Sequence, residues 1–158
     1  MNKTTNKAAT HVRWMIRRDM ADVHEIEDLS FGGHAWNEDD FIRSLRQRNC
    51  IGMVAEVGER IVGYMIYELH KSRLELLNFA VHPTYRGEGV AAIMLAKLVG
   101  KLSTERRNRI CLEIGENNLN AQQFFRYMSF LAINVIRDKW GTGEDAYRMV
   151  YRFERGAQ

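Results

Sequence analysis

The stretch FAVHPTYRGEGVAAIML, Phe79–Leu95, decides the fold because it runs from an apolar strand pattern through a glycine loop into a helical pattern. The loop contains Gly87 and Gly89, and apolar residues then recur three or four positions apart, as on one face of a helix. Paired glycines let a backbone approach a ligand closely, and the N–H groups at a helix N-terminus favour an anion such as phosphate. The stretch therefore predicts a strand, an anion-binding loop and a helix.

Strands are predicted on both sides of this unit. Apolar runs within residues 50–57, 61–69 and 73–81 are joined by short links, which favours an antiparallel meander. The run RICLEI, residues 109–114, follows the helix, and a strand–helix–strand connection favours parallel pairing. The middle of the chain therefore predicts a mixed sheet.

The two ends of the chain add further elements. A strand around Val12 precedes two helices, one with Asp19 and one with Asn37 as N-cap. NAQQFFRYM predicts a short helix, and the runs on either side of KWGTGED predict a closing hairpin. We expect an α/β fold with a mixed sheet, about seven strands and four helices, in one domain of residues 11–158 behind a disordered tail of residues 1–10.

Composition limits the possible functions. The chain has 158 residues and a formal net charge of +3, which is too diffuse an excess to predict nucleic-acid binding. Cys50 and Cys111 lie far apart with no histidine at metal-ligand spacing, so we expect free thiols and no metal. No apolar run is long enough to span a bilayer, and MNKTTNKAAT lacks the apolar core of a signal peptide. These features predict a cytoplasmic protein without a membrane segment.

Three phosphate-binding motifs compete for the glycine loop. A P-loop ends in Gly-Lys-Ser/Thr, whereas this loop ends in Gly-Val-Ala, which excludes it. Gly87, Gly89 and Ala92 fit the dinucleotide pattern G-x-G-x-x-A, but HPTYR separates them from the strand, which disfavours it. The third motif is Gln/Arg-x-x-Gly-x-Gly/Ala after a strand that ends Val-x-Pro. Arg86, Gly89 and Ala91 resemble this acyl-CoA loop of the GNAT superfamily of N-acetyltransferases.

The resemblance extends from about Val12 to Phe153, because the order of predicted elements is that of the GNAT acyl-CoA N-acyltransferase fold. Within this superfamily the sequence is similar to the ribosomal-protein alanine N-acetyltransferases and the related protein N-terminal acetyltransferases. Four segments carry this similarity: AWNEDDF, LLNFAVHPTYRGEGVA, LEIGENN and GEDAYRM. The resemblance implies acetyl-CoA as co-substrate and a primary amine as acceptor.

The resemblance also implies roles for single residues. Glu113, on the strand after the helix, would be the general base, acting through water. Backbone amides of the strand before the loop would hold the acetyl carbonyl and pantetheine, and the loop would wrap the pyrophosphate. The implied cofactor-binding residues are Phe79, Ala80, Val81, Arg86, Gly87, Glu88, Gly89, Val90, Ala91, Ala92 and Asn118.

The acid–base chemistry favours a protein or peptide N-terminus as acceptor. With a pKa of about 7.7–8.0 for an α-amine and about 10.4 for lysine, deprotonation at neutral pH costs roughly 1 kcal/mol and more than about 4 kcal/mol respectively. One glutamate suits the first of these, so our leading hypothesis is N-terminal acetylation by direct attack on acetyl-CoA. Two alternatives stay open: acetylation of a small amine or a lysine side chain, and a catalytically weak acyl-CoA-binding module.

The sequence departs from the family at the acid and on the acceptor side. Phe125 stands where the family has its general-acid tyrosine, and a phenyl ring cannot protonate the leaving thiolate. Tyr147 is a candidate replacement, although ordinary strand packing is the favoured interpretation. The predicted substrate-binding residues are His34, Trp36, Lys139 and Trp140. Because Lys139 and Trp140 replace paired tyrosines of the family, the acceptor stays open, with a ribosomal N-terminus among the candidates.

Overall fold

The computed structural model describes residues 9–154. The strands are β1 (Thr10–Trp14), β2 (Cys50–Val57), β3 (Arg60–Leu69), β4 (Leu74–Val81), β5 (Arg109–Gly115), β6 (Leu131–Ile136) and β7 (Ala146–Arg152). The α-helices are α1 (Met20–Phe31), α2 (Glu38–Leu45), α3 (Val90–Val99) and α4 (Leu119–Tyr127). Short 3₁₀ turns lie at Arg17–Asp19, Gly32–His34 and Pro83–Tyr85. Within this part of the chain, no helix has the length and apolar character needed to cross a membrane.

The strands form a 7-stranded sheet in the order β1-β2-β3-β4-β5-β7-β6. β1 to β4 make an antiparallel meander, and β5, β7 and β6 pair antiparallel with one another. β4 and β5 are parallel and pair only from Leu74 with Ile110 to Leu76 with Leu112. Beyond this point the two halves of the sheet separate, and we call the gap between residues 77–81 of β4 and residues 113–115 of β5 the fork.

Helices cover both faces of the sheet. On one face, α3 and α4 contribute residues such as Met94 to the larger apolar core, which also contains Leu112 of β5. On the other face, Ile26 of α1 and Phe41 of α2 pack with Tyr64 of β3 in a second apolar cluster. The fork therefore opens between two covered faces, and each wall presents side chains to both of them.

The predicted meander, crossover strand and closing hairpin are confirmed, as is the cap of α2, where the Asn37 side chain accepts the Asp40 N–H at 2.9 Å. Asp19 occupies the predicted N-cap position of α1, but its carboxylate makes no cap hydrogen bond with the helix. Asp19 instead accepts two hydrogen bonds from the Arg13 guanidinium, at 2.8 and 2.9 Å, and the Ile16 N–H at 2.8 Å. The Arg13 hydrogen bond holds the pKa of Asp19 below its usual value.

The predicted domain limits are only partly covered by the structure. β1 begins at Thr10, which is one residue inside the predicted tail. Residues 1–8 of that tail and residues 155–158 of the predicted domain lie outside the described residues.

Candidate active site

The fork brings the predicted base to the opening of the sheet. The last paired residues are Leu76 and Leu112, and Glu113 is the next residue of β5. Side chains alternate along a strand, and Leu112 and Ile114 lie in the core under α3 and α4. Glu113 therefore projects from the opposite face, the one that α1 and α2 cover, where its side chain is 26% exposed.

Glu113 belongs to a charged cluster with Arg148 of β7 and Lys139 of the β6–β7 turn. Lys139 Nζ forms an ion pair with Glu113 Oε2, and Arg148 Nη1 lies 3.5 Å from Glu113 Oε1. Arg148 donates two shorter hydrogen bonds to Glu75, at 2.7 and 3.0 Å. Burial alone would raise the pKa of Glu75, but the hydrogen bonds and charge of Arg148 hold it below its usual value. Arg148 is thus committed mainly to Glu75, which leaves Lys139 as the closer cation at Glu113.

Contacts of the β6–β7 turn hold Lys139 over the end of β5. The Asp145 N–H donates to Glu116 Oε1 at 2.9 Å, and the Glu116 N–H donates to the Asp145 carbonyl at 2.8 Å. Trp140 packs against Gly115, where an added Cβ would lie 3.4 Å from its ring. Lys139 Nζ lies 5.5 Å from the centre of the Trp140 ring, which is within cation–π distance. The turn therefore places Lys139 and Trp140 beside the predicted base, and their contact with an acceptor stays a prediction.

β4 forms the other wall of the fork. The His82 N–H donates to the Val62 carbonyl at 2.7 Å, which continues the antiparallel ladder with β3. Because such hydrogen bonds alternate along a strand, the Ala80 N–H faces β3 and the Val81 N–H faces the fork. The Phe79 N–H donates to the side chain of the preceding asparagine at 2.9 Å. Of the three amides predicted to hold an acetyl group, the one at Val81 is therefore best placed to do so.

The glycine loop has the geometry of an anion cradle. Gly87 and Gly89 have φ values of +79° and +86°, in the region that favours glycine. An added Cβ at either position would meet nothing within 4 Å, so the space above the loop is open. The first hydrogen bond of α3 runs from the Ile93 N–H to the Gly89 carbonyl at 3.1 Å, which leaves three N–H groups without helical partners. These belong to Val90, Ala91 and Ala92, and together with the glycines they fit a pyrophosphate.

Arg86 braces this loop. Its Nε donates to the Val81 carbonyl at 3.0 Å, and its Nη2 donates to Ser30 Oγ of α1 at 3.0 Å. The side chain therefore ties the loop to the end of β4 and to α1. A direct contact of Arg86 or of the neighbouring exposed Glu88 with a cofactor stays a prediction.

A buried carboxylate supports the loop that carries Trp36, one of the predicted substrate-binding residues. Glu27 of α1 is 1% exposed and accepts the Trp36 N–H at 2.8 Å, Asn78 Nδ2 at 2.9 Å and the Tyr64 hydroxyl. Burial raises the pKa of Glu27, against the hydrogen bonds from Trp36 and Asn78. The Trp36 ring packs edge-on against Phe41, with 5.3 Å between ring centres. This network fixes Trp36 relative to β4, one wall of the fork.

Phe125 lies inside an aromatic cluster and offers no proton donor. It is 5% exposed, and its ring centre lies 5.9 Å from that of Phe79 and 5.1 Å from that of Phe130. Tyr147 lies opposite Ile114 of β5 and packs against the larger core, as expected for ordinary strand packing. The structure therefore supplies no evident replacement for the family's acidic tyrosine among these residues.

The remaining predicted residues lie around this centre. Asn118 is the N-cap of α4, where its side chain accepts the Ala121 N–H at 3.2 Å. His34 ends a 3₁₀ turn between α1 and α2 and is exposed. Burial raises the pKa of the Cys50 thiol to about 11, and Cys111 is 3% exposed. A nucleophilic cysteine needs an accessible thiolate, so the raised pKa of Cys50 and the burial of Cys111 both count against that role.

Sequence analysis missed three residues of this centre, although each had a signal. Glu27 stands four positions after Val23, which places it on the buried face of α1. Glu75 and Arg148 each stand between two apolar residues of a strand. Because side chains alternate along a strand, each charged side chain lies on the face opposite to that of its apolar neighbours. For these two residues the signal was an isolated charge within an apolar strand, and in the structure they pair with each other.

Comparison with known proteins agrees with this geometry. Residues 19–130 match the acetyltransferase (GNAT) family. A Bacillus subtilis protein, provisionally named as a ribosomal protein bS18-alanine N-acetyltransferase, is 26% identical over 145 residues, which is 90% of this chain and 95% of that protein. The ribosomal-protein-S18-alanine N-acetyltransferase of Escherichia coli superposes with a TM-score of 0.82 at 18% identity, over 95% of this chain and 97% of that one. Arabidopsis thaliana NAA60 in complex with acetyl-CoA superposes with a TM-score of 0.78 at 17% identity, over 92% of this chain and 100% of that one. The chain belongs to the acetyltransferase (GNAT) family, whose members use acetyl-CoA.

Proposed function

We propose that this N-acetyltransferase modifies the N-terminal α-amine of a protein or peptide, by direct attack of the amine on acetyl-CoA with Glu113 as general base. The observation that carries the proposal is the position of Glu113, one residue beyond the last β4–β5 pair and across the fork from the Val81 N–H. A base on one wall and an N–H donor on the other suit an amine and a thioester carbonyl that meet between them.

Two features of the chain support an α-amine as acceptor. The first is energetic, because at neutral pH an α-amine needs about 1 kcal/mol for deprotonation and a lysine more than about 4 kcal/mol. The second is the similarity to ribosomal-protein alanine N-acetyltransferases, which by their names act on the nitrogen of an alanine in a ribosomal protein. A ribosomal protein is accordingly one candidate acceptor.

On the donor side, Val81 would stabilise the oxyanion of the tetrahedral intermediate through its N–H. The open glycines and the first turn of α3 would hold the pyrophosphate, with Arg86 keeping the loop in place. The thiolate would leave without a protein acid, since Phe125 has no proton to give. A thiol with a pKa near 8.5 leaves readily enough to make this tolerable.

The test is CoA release with acetyl-CoA and a set of peptides that differ in their first residue. We expect turnover of peptides with a free N-terminus and at least about tenfold slower turnover of N-terminally blocked peptides that contain a lysine, by the pKa difference above. Preference for blocked, lysine-containing peptides or for small amines would contradict the proposed acceptor. Tight binding of acetyl-CoA without turnover of any amine would contradict catalysis.

Glu113→Gln tests the base separately. The substitution keeps the shape of the side chain but removes its proton-accepting charge, so we expect kcat to fall by about 10²–10⁴. Glu105→Gln is the matched control, because Glu105 is an exposed carboxylate in the loop before β5. Unchanged turnover in Glu113→Gln would show that another group removes the proton.

A further inference from the structure

Lys139, on the β6–β7 turn, forms an ion pair with the proposed general base Glu113. Its ammonium lies against the Glu113 carboxylate at the fork and within cation–π distance of Trp140. Of the lysines in residues 9–154, only Lys139 forms an ion pair with a carboxylate of the same range. The other lysines of this range are Lys71, Lys97 and Lys101.

This contact has the geometry required of an acceptor amine. A general base must lie within hydrogen-bond reach, directly or through one water, of the proton that it removes. Lys139 Nζ meets that condition at Glu113, and its flexible four-carbon stem lets the nitrogen follow the carboxylate. The side chain is 29% exposed, so it is partly buried at the fork.

We propose that the protein acetylates its own Lys139, with Glu113 as base, when acetyl-CoA occupies the fork. The inference rests on the proposed function, from which it takes the base and the position of the acetyl group. It adds to that function a modification site on the enzyme itself.

The reaction balances without any further reagent. The Glu113 carboxylate takes one proton from the Lys139 ammonium, and the freed Nζ lone pair attacks the thioester carbonyl. A C–N bond forms and the C–S bond breaks as the tetrahedral intermediate collapses. The second proton lost from Nζ passes to the leaving thiolate, and Glu113 returns its proton to solvent. The products are acetyl-Lys139 and CoA.

Two properties reduce the difficulty of using a lysine. Burial lowers the pKa of Lys139 below the usual lysine value, against the charge of Glu75, so the neutral amine is less rare than in solution. The reaction also occurs once per molecule, so it need not reach the rate of a turnover reaction. The ion pair with Glu113 acts in the opposite direction, and therefore a slow modification is expected.

The modification would change the site that performs it. Acetylation removes the positive charge of Lys139, and with it the ion pair to Glu113 and the cation–π contact with Trp140. The base would then be free of its closest cation. Acetyl-CoA would in this way convert the enzyme from a form with an occupied base to one with an open base.

The experiment incubates the full chain with acetyl-CoA alone and follows acetylation by intact mass and peptide mapping. We expect one acetyl group at Lys139, its formation at least about tenfold faster than at the exposed Lys97 of α3. Glu113→Gln should slow the modification of Lys139 by about 10² or more without changing that of Lys97. Lys139→Arg should abolish the fast phase, whereas the matched control Lys97→Arg should keep it.

Dilution tests whether the reaction occurs within one molecule. The first-order rate at Lys139 should stay constant over a tenfold range of protein concentration, and a rate proportional to concentration would overturn self-modification. Equal acetylation rates at Lys139 and Lys97, or an unchanged rate at Lys139 in Glu113→Gln, would show non-enzymatic chemical acetylation and overturn the inference. Rapid peptide acetylation with Lys139 unmodified would overturn it while leaving the proposed function intact. Acetyl-Lys139 without acetylation of any peptide would support it and contradict the proposed acceptor.

Discussion

At the scale of single residues, the reaction depends on what stands beside the base and what stands at the position of the acid. Glu113 is in contact with Lys139, so an acceptor amine that uses this carboxylate has to share or replace that contact. Phe125 fills the position of the acid with a buried ring. If Glu113 is the base as proposed, we expect both features to slow the reaction relative to a site with a free base and a tyrosine, and hence a modest turnover number.

Phe125→Tyr tests the missing acid. We expect the new hydroxyl to raise kcat, because a proton donor at this position can protonate the leaving thiolate, an effect worth up to about 10²–10⁴-fold. The hydroxyl also enters a cluster with Phe79 and Phe130, so the melting temperature should fall. Steady-state CoA release and thermal melts measure both effects, with Phe130→Tyr as the matched aromatic control. An unchanged kcat would mean that the thiolate leaves unaided.

At the scale of helices, strands and loops, periodicity predicted most of the structure. The spacing from Val90 predicted α3, and the apolar runs predicted β2 to β5 in their order, because these signals are local. The same reasoning missed the hydrogen-bond partner of the Asp19 carboxylate and the partners of Glu113. The Asp19 carboxylate bonds to Arg13 and not to a helix N–H, and Glu113 contacts Lys139 of a distant turn. A periodic sequence pattern shows neither of these contacts. Such contacts depend on which strands become neighbours.

Gly89→Ala tests the cradle at the start of α3. A residue with a side chain is strained at a φ of +86°, at a cost of about 1–2 kcal/mol, so the loop should distort and the Kd for acetyl-CoA should rise by about tenfold. Gly33→Ala is the control, because that glycine also has open space around it but lies outside the positive-φ region. Calorimetric titration of both variants with CoA measures the effect. Equal affinities would show that the loop does not contact the cofactor.

The Arg13–Asp19 pair joins β1 to the start of α1, and its contribution should depend on pH. Asp19→Asn is expected to lower the free energy of unfolding by about 1.5–3 kcal/mol at pH 7, since it removes charge-assisted hydrogen bonds of a carboxyl that is 2% exposed. Because the folded state lowers the pKa of Asp19, this stability is present above about pH 4 and is lost as the pH falls further.

Urea unfolding at pH 7 and below pH 4 measures the difference between the original chain and Asp19→Asn. The difference should shrink at the lower pH, whereas the exposed Asp28→Asn should stay within about 0.5 kcal/mol of the original at both. A difference that does not change with pH would mean that the charge of Asp19 contributes nothing.

At the scale of the whole molecule, the sheet consists of two halves that share little. β1 to β4 form one half and β5, β7 and β6 the other, and their direct pairing covers only residues 74–76 and 110–112. The groups proposed to take part in the chemical step lie where the halves part: the Val81 N–H on one side, Glu113 and Lys139 on the other. The family and its donor could be inferred from the sequence because they depend on a local loop. The acceptor could not, because the residues predicted to bind it, such as Trp36 and Trp140, lie in loops that are far apart in the sequence.

A ligand that lies in the fork contacts both halves and should therefore stabilise the whole domain. Acetyl-CoA at about 100 times its Kd adds about 2.7 kcal/mol to the free energy of unfolding, which for a chain of this size corresponds to a rise in melting temperature of about 5–11 °C. Thermal melts with and without acetyl-CoA measure it. At the same ligand concentration Gly89→Ala should show a smaller rise and Gly33→Ala the full one. A full rise in both variants would place the ligand away from the loop, since the cradle and the stabilisation would then be independent.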